Sequence, residues 1–445
     1  MARSIYQIRA LADIAREYLQ TIYGEYLVLT NSSSYDLEEL ETILKSGKYE
    51  AKFRLFSLYS DETINYEIPQ EDIISNSGNY TENYQNGQRR NLNINLVNID
   101  GKYTPSINTV WTQDKFRLDI GIGVDNDVYW FPRGIYIMGN PTSTHQDSDK
   151  QVSLTLVDKF ALLEGKMGVL ETTYEIPEGT LIKEAIEGIL TIDTGSGYPL
   201  DLKPIIYDHS FDGKTTPYTV RKDAGSTFGE MILELADILG AECFYNSLGN
   251  LCFIPINETI LDSDKPVLWN LSDAKKDFIS SSTTYDFSNI VNEVDVVGDN
   301  INNKIFSAVA KNEDPLSPIC IQRIGRHVAY INDAAIYNDE LAQDRAAYEL
   351  RKATILGTSV NISTTFNPLL FVDNAITIED EFYRFNREKF IIQSISYSIG
   401  DSNQMNITCS NVENVGMFDD FRLHSQSPIV ETQNGGYLLF SVGGN

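Results

Sequence analysis

Two stretches decide the fold of this chain, Gln151-Val152-Ser153-Leu154-Thr155-Leu156-Val157 and Gln404-Met405-Asn406-Ile407-Thr408-Cys409-Ser410. In both, apolar and polar side chains alternate, and a period of two is typical of a β-strand that buries one face. Each stretch closes a series of short strand-like runs. We therefore expect a mainly β protein in which one strand pattern occurs twice.

The segments before these two strands predict an internal repeat. Both series contain a leading strand, two apolar runs and a polar turn, with similar lengths and the same alternation. The segments are Leu118–Val124, Val128–Pro132, Ile135–Ile137 and Thr142–Thr144 in the first series, and Ala375–Glu379, Phe382–Asn386, Phe390–Ile392, Ser394–Tyr397 and Gly400–Asn403 in the second. We interpret them as a duplicated barrel fold, and two unrelated strand meanders are the alternative.

Helical patterns separate and flank the strand regions. The predicted helices are Tyr6–Tyr23, Asp36–Leu44, Thr180–Leu190, Ser226–Leu239 and Asp339–Leu356. We expect Ser226 to be the N-cap of its helix and Gly240 to end it, before a hairpin of Ala241–Asn246 and Leu251–Pro255. The predicted domains are an N-terminal helical segment (1–44), a first tube β-barrel (45–165), an α+β insertion (166–280), a second tube β-barrel (281–414) and a C-terminal arm (415–445).

The charge of the chain disfavours nucleic-acid binding through a basic patch. Its 445 residues carry a formal net charge of −28, so the surface repels phosphate backbones. The charge is explained either by solubility or by an acidic channel wall that lets DNA pass, and we hypothesise that acidic side chains face such a lumen. No apolar run approaches the length of a membrane span, and the start of the chain lacks a secretory signal. We expect synthesis in a cytoplasm.

The four cysteines do not have the spacing of a metal or redox site. Cys243 and Cys252 flank the turn Ser247–Asn250, and a turn centred there would place them on one face but diagonally offset. We therefore predict that these two, together with Cys320 and Cys409, are buried free thiols.

No catalytic, cofactor or metal site is predicted. The four histidines His145, His209, His327 and His424 lie far apart and form no metal motif. Asp193-Thr194-Gly195-Ser196 spells an aspartic-protease triplet, but such a dyad needs two carboxylates and the chain has no second copy. The acidic turns Asp125–Asp127 and Glu379–Glu381 lack the order of an EF-hand. In Tyr129-Trp130-Phe131, alternation places Trp130 on the opposite face from its neighbours, which favours a partly buried strand over a sugar-stacking platform.

The order of several weak motifs resembles the phage baseplate hub family, the T4-type hub and its relatives. The match spans most of Tyr49 to Val412, and its segments are Asn91–Tyr103, Tyr129–Tyr136, Leu154–Phe160, Leu233–Phe253, Ser288–Val294 and Leu341–Val412. The resemblance implies a homotrimer whose two barrels form a torus that continues the tail tube. It also implies contacts with tail tube or distal tail proteins above and with a spike or tip protein below.

The predicted function is assembly. Three chains with two similar barrels each would present six near-equivalent units, so the ring could adapt a six-fold tube to a three-fold spike. We expect a non-enzymatic virion protein of the tail tip or baseplate, assembled in the host cytoplasm beside other baseplate proteins, that lets DNA or a tape-measure protein pass. The alternatives are a tail-associated peptidase or cell-wall hydrolase and a glycan-binding tip protein.

Overall fold

The structure is a computed structural model. It describes residues 37–104, 114–124, 127–146, 149–193, 195, 197–255, 267–272, 278–285, 290–301, 304–315, 317, 319–333, 336, 339–354, 358–400, 403–411, 429–432 and 437–439. The predicted helix Tyr6–Tyr23 and His424 lie outside these residues.

Strands dominate the described residues, as expected. The helices are α1 (Leu37–Ser46), α2 (Ile182–Leu190), α3 (Phe228–Leu239), α4 (Ile321–Ile324) and α5 (Asp339–Thr354). The strands are β1 (Glu50–Leu58), β2 (Ile64–Glu67), β3 (Gly78–Asn83), β4 (Arg90–Val97), β5 (Lys115–Val124), β6 (Asp127–Met138), β7 (Thr142–Gln146), β8 (Asp149–Asp158), β9 (Tyr174–Ile176), β10 (Ile206–Tyr207), β11 (Val220–Lys222), β12 (Ala241–Tyr245), β13 (Leu251–Pro255), β14 (Val267–Ser272), β15 (Phe278–Tyr285), β16 (Glu293–Ile301), β17 (Lys304–Lys311), β18 (Val328–Asn332), β19 (Thr358–Thr365), β20 (Ala375–Asp380), β21 (Phe385–Ile399), β22 (Gln404–Asn411), β23 (Ile429–Thr432) and β24 (Tyr437–Leu439).

One 14-stranded sheet runs through both predicted barrel regions. Its main path is β15-β19-β22-β21-β3-β4-β8-β6-β5-β1-β2, with β14, β20 and β7 attached at the sides. The two regions join where the C-terminal half of β21 pairs antiparallel with β3. The chain therefore connects its two halves by main-chain hydrogen bonds between strands, in addition to side-chain packing.

The same pairing order occurs in both halves of the sheet. In the first half the path is β1-β5-β6-β8-β4-β3, and in the second it is β14-β20-β21-β22-β19-β15. In each path the strands follow one another along the chain in the corresponding order. The pair β14–β20 is parallel, whereas its counterpart β1–β5 is antiparallel.

A large apolar core lies behind the main sheet and contains residues from both halves. Leu92, Ile94 and Ile120 from the first half are fully buried, as are Ile376 and Ile392 from the second. Strands with one buried face supply these side chains at every second position, which explains the alternation that the sequence displays.

The α+β insertion has a separate core formed by α2, α3 and the hairpin β12–β13. Helix α3 begins at Phe228, and its N-cap is Thr227, which forms a capping box with Glu230, so the predicted cap at Ser226 is wrong by one residue. Gly240 ends the helix with φ of 65°, as predicted, because a left-handed residue there favours glycine.

A second inserted unit interrupts the second half of the main sheet between β15 and β19. It is a five-stranded sheet in the order β18-β16-β17-β23-β24, and α5 packs on it. The sequence analysis did not separate this unit from the second barrel (281–414). Moreover, β14 pairs with β20 although it lies within the predicted insertion (166–280), and β23 and β24 lie within the predicted arm (415–445).

The predictions are also wrong for one polar segment and for the connection of one hairpin. Thr142–Thr144 is not a turn, because it begins β7, which pairs with β8. In the hairpin, Tyr245 pairs with Leu251 and Cys243 with Phe253, so the connection is one residue longer than expected and the two cysteines point to opposite faces. All four cysteines are buried and free, as predicted.

Candidate assembly surface

The main sheet has one face that is open to solvent over a continuous series of antiparallel strands. The series runs β15, β19, β22, the C-terminal half of β21, β3, β4, β8 and β7. We call this the open face. Its outward residues are Ser280, Ser282 and Thr284; Ser359, Asn361, Ser363 and Thr365; Gln404, Asn406, Thr408 and Ser410; Ser394, Ser396 and Ser398; Asn79, Thr81 and Asn83; Asn91, Asn93, Asn95 and Val97; Gln151, Ser153, Thr155 and Val157; and Thr142 and Thr144.

The outward side chains of the open face carry no charge in the part of the chain whose side chains the structure describes. Among its described outward residues all but two are serine, threonine, asparagine or glutamine, and the two exceptions are Val97 and Val157. Charged residues make up 22% of the chain, so a strand surface of ordinary composition would carry several. The uniform chemistry crosses the joint between the two halves without interruption.

Neighbouring side chains on the open face bind one another. The Thr408 hydroxyl donates to Asn361 Oδ1 at 2.7 Å across β19–β22, and Gln404 Nε2 donates to Ser363 Oγ across the same strand pair. Gln393, at the register shift of β21 beside the open face, donates through Nε2 to Ser410 Oγ at 2.8 Å. Cross-strand hydrogen bonds of this kind hold polar side chains flat on the sheet. The described residues of this surface therefore present hydroxyl and amide groups to which water can hydrogen-bond.

Two edges at the ends of this strand series have no strand partner among the described residues. β7 pairs only with β8, and β15 pairs only with β19. Thr142, Ser143 and His145 in β7 are exposed, as are Ile279 and Ser282 in β15. An edge strand leaves a row of N–H and C=O groups ready to pair with another chain.

A buried charge cluster fixes the insertion to the first half of the sheet. Glu62, at the tip of the β1–β2 hairpin, lies 2.6 Å from Lys159 Nζ, 2.8 Å from Lys115 Nζ and 2.9 Å from Lys203 Nζ. Lys159 also lies 2.7 Å from Asp201, and the side chains of Glu62, Lys159 and Asp201 are at most 1% exposed. Burial by itself would raise the pKa of Glu62, but the lysines lower that pKa to about 2.

A second buried cluster lies at the joint between the halves. Glu82 on β3 is paired with Arg90 at 2.9 Å, and these two charges are almost fully buried. Burial opposes ionisation of Glu82, yet Arg90 and Arg133 keep the pKa of this carboxyl below its ordinary value. Arg133 donates hydrogen bonds to the carbonyl oxygens of Pro368 and Leu370, which links the first half to the second.

Comparison with known proteins identifies the fold. No protein-family model and no curated protein matches the chain. Among solved structures, a tail protein from Neisseria meningitidis MC58 superposes with a TM-score of 0.57 and 12% identity over 81% of this chain and 97% of that chain. The 43 kDa tail protein of prophage MuSo2 from Shewanella oneidensis gives 0.53 and 13% over 81% and 98%.

The chain has the fold of these tail proteins. A chain of the lidded Francisella PdpA-VgrG complex also superposes, with a TM-score of 0.50 and 12% identity over 91% of this chain and 57% of that chain. The resemblance to the hub family is thus confirmed at the level of the fold.

Within this tail-protein fold the singled-out residues do not converge. His145, His209 and His327 are exposed at separate places, and no group of possible metal ligands occurs in the described part of the chain. Asp193 accepts hydrogen bonds from the backbone of Gly195 and Gly197 in an exposed loop. None of the helices in the described ranges is long and apolar enough to cross a membrane.

The aromatic run on β6 is arranged as the alternation predicts. Tyr129 and Phe131 are buried in the main core, whereas Trp130 lies on the other face under the guanidinium of Arg54, 4.2 Å from the ring centroid. Arg54 in turn forms a 2.8 Å ion pair with buried Asp119. Trp130 is therefore occupied by a cation–π contact within the chain.

The open face was not predicted, although the sequence contains the pattern that forms it. Asn91, Asn93 and Asn95 alternate with buried apolar residues in β4, and Ser394, Ser396 and Ser398 do so in β21. An outward strand position usually accepts charge as readily as a hydroxyl. The absence of charged residues at these consecutive outward positions is the sequence feature from which the neutral face could have been predicted.

Proposed function

We propose that this protein is a structural hub of a phage tail tip or baseplate, or of a tail-like injection machine. In this proposal three copies form a ring that continues the tail tube, adapts its six-fold symmetry to a three-fold spike or tip protein, and encloses a channel for DNA or a tape-measure protein. The ring contacts tube or distal tail proteins on one side and other baseplate proteins around it.

The single observation that carries this proposal is the strand pairing order that occurs twice and is joined edge to edge by β21 and β3. A chain with two such units, related by a duplication, needs two further copies to complete six units. The likeness of the fold to two tail proteins over nearly their whole length supports the same role.

The proposed domains follow from this arrangement. The first barrel comprises β1 to β8, the insertion runs from β9 to β13, and the second barrel comprises β14, β15 and β19 to β22. The unit of β16, β17, β18 and α5 is a further insertion within the second barrel. The proposed second barrel therefore gains β14 from the predicted insertion (166–280), and this unit is separated from the predicted range 281–414.

We propose that the open face lines the channel. The main core lies behind the sheet, and Arg90, whose side chain is buried on that side, donates to the Tyr245 carbonyl oxygen of the first insertion. This bulk fits on the outside of a ring, where the circumference is larger. The described wall residues are neutral, so this proposal replaces the acidic lumen of our earlier hypothesis. Hydroxyl and amide groups neither attract a phosphate backbone as lysine would nor repel it as glutamate would.

The alternative of a tail-associated peptidase or cell-wall hydrolase gains no support from the buried carboxylates Glu62 and Glu82, because lysine and arginine neutralise them. A glycan-binding tip protein remains the second alternative. It would need exposed aromatic side chains aligned on one surface, whereas Trp130 is covered by Arg54.

The test is the mass of the purified protein by light scattering, with negative-stain images of the same peak. We expect a trimer of three 50.1 kDa chains that appears as a ring with a central hole. A monomer at all concentrations, without rings on addition of tail tube protein, would contradict the hub proposal.

A further inference from the structure

We propose that β7 of one copy pairs antiparallel with β15 of the next copy, with Thr144 opposite Ser282. This inference rests on the proposed ring and specifies the strands and the register that close it. The partner of each free edge is thus a second copy of this chain. A joint of the same kind already exists within the chain, and it can form between the two edges that have no strand partner among the described residues.

The joint within the chain is the pairing of β21 with β3. Ser396 lies opposite Thr81, and Ser398 lies opposite Asn79, so that the two open-face segments continue into one another. β21 reaches this joint because its C-terminal half extends past β20 and leaves one edge free for β3.

β7 occupies the same position in the first half as the C-terminal half of β21 does in the second. β22 and β8 have the same alternation from Gln404 and from Gln151 onwards, so Asn406 of β22 corresponds to Ser153 of β8. Asn406 pairs with Ser396, and Ser153 pairs with Thr142. Thr142 therefore corresponds to Ser396, and Thr144 corresponds to Ser398.

β15 occupies the same position in the second half as β3 does in the first. Thr155 pairs with Asn93 in the first half, and its counterpart Thr408 pairs with Asn361 in the second. On its other side Asn93 pairs with Asn79 of β3, whereas Asn361 pairs with Ser282 of β15. Ser282 thus corresponds to Asn79, and Thr284 corresponds to Thr81.

The transferred register follows directly. Because Ser398 pairs with Asn79 within the chain, Thr144 pairs with Ser282 between chains, and Thr142 pairs with Thr284. This register keeps Thr142, Thr144, Ser282 and Thr284 on the open face, so the neutral surface is continuous around the ring. A slip of one residue would turn one strand's outward side chains to the other face.

The two edges differ from each other, so the contact is head to tail. Such a contact leaves one free β7 and one free β15 on every partial assembly until the last copy closes the ring. Pairing of two β7 edges or two β15 edges would instead give a closed dimer. The geometry points to the ring because it reproduces the joint already formed by β21 and β3.

The test is disulfide cross-linking of the full chain with cysteines at the paired positions. The double variant Thr144→Cys with Ser282→Cys should give covalent trimers and their open intermediates on mild oxidation, as should Thr142→Cys with Thr284→Cys. Directly paired strand residues have the Cα separation that a disulfide requires. The four native cysteines are buried and do not compete.

The matched control is Thr142→Cys with Ser280→Cys, which uses the same two strands and the same face. These positions are four residues out of register, or roughly 13 Å along a strand, which is too far for a disulfide. We expect about tenfold less covalent oligomer from this control than from either in-register pair. The pair Asn79→Cys with Ser398→Cys lies within one chain, so it should form an intramolecular disulfide and give no covalent oligomer.

The results separate this inference from the function that it rests on. Equal mixing of the single variants Thr144→Cys and Ser282→Cys should give a mixed dimer, whereas a disulfide dimer of Thr144→Cys alone would overturn the inference. Particles of trimeric mass that link in neither in-register pair would overturn the register and leave the hub proposal standing. A monomer that never links would overturn both.

Discussion

Tyr80 and Tyr397 face each other across the joint between β3 and β21, with ring centroids 4.5 Å apart and planes inclined by 16°. Both side chains are almost fully buried. Phe53 and Phe366 pack around Tyr397 and extend the cluster into both halves. The joint within the chain is thus closed by aromatic stacking behind the strands as well as by their hydrogen bonds.

Removal of this stack should weaken the contact between the halves. We expect Tyr397→Ala to lower the free energy of unfolding by about 3–5 kcal/mol, because a large buried aromatic leaves a cavity. Denaturation in urea measures the effect. The control Tyr59→Ala removes a tyrosine that is 54% exposed and should leave the midpoint nearly unchanged. Equal effects of the two changes would contradict the conclusion that the Tyr80–Tyr397 stack holds the two halves together.

The Glu62 cluster should be the main polar lock of the insertion. Glu62→Gln leaves three lysine ammonium groups around a neutral amide, which should cost about 3–5 kcal/mol of stability. Thermal unfolding and limited proteolysis of the insertion measure the loss. The control is Glu50→Gln, since Glu50 pairs with Lys52 on the surface and its removal should not shift the unfolding midpoint. An unchanged midpoint for Glu62→Gln would refute the lock.

The same cluster predicts a pH dependence with a definite sign. The pKa of Glu62 is about 2 in the folded protein and near its ordinary value of 4.5 when unfolded. Its contribution to stability is therefore complete above about pH 4.5 and is lost as the pH falls towards 2. The difference in unfolding midpoint between wild type and Glu62→Gln should shrink over this window. Asp158, whose pKa burial raises to about 6, affects both proteins alike.

If the open face lines a channel, as we propose, a cation on that face should make the protein retain DNA. We expect Asn93→Lys to fold normally, because Asn93 is exposed, and to bind DNA with an affinity that falls steeply with salt. Fluorescence anisotropy with labelled single- and double-stranded DNA measures this. Thr172→Lys adds the same charge on an exposed site of the insertion and should bind less. Similar binding by both variants would remove the channel assignment of the open face.

The thiols should be unreactive in the folded protein. Burial raises the pKa of Cys252 to about 12 and that of Cys243 well above its ordinary value. A thiol reagent at neutral pH should therefore label none of the four cysteines until the protein unfolds. Rapid labelling under native conditions, located by mass spectrometry, would show that the hairpin β12–β13 opens.

The sequence predicts most strands and the helices α1, α2, α3 and α5, since period and caps are local properties. It does not predict β7, because Thr142-Ser143-Thr144 is polar throughout and only its pairing with β8 makes it a strand. The faces of Cys243 and Cys252 depend on one residue in the hairpin connection, which alternation leaves undetermined. The residues of the Glu62 cluster come from distant parts of the sequence, so no local pattern predicts that they lie together.

The edge-to-edge joint of β21 and β3 has a consequence for counting. Each chain brings the strand pattern in pairs, so a ring closed through β7 and β15 contains an even number of patterns whatever the number of chains. A ring with one pattern too many or too few cannot be made. An assembly error must add or omit a whole chain with its two patterns. The diameter of the ring then changes by two patterns at once, and the ring no longer fits the next layer of the assembly. In the ring that we propose, the joining of two patterns in one chain therefore excludes every odd number of patterns.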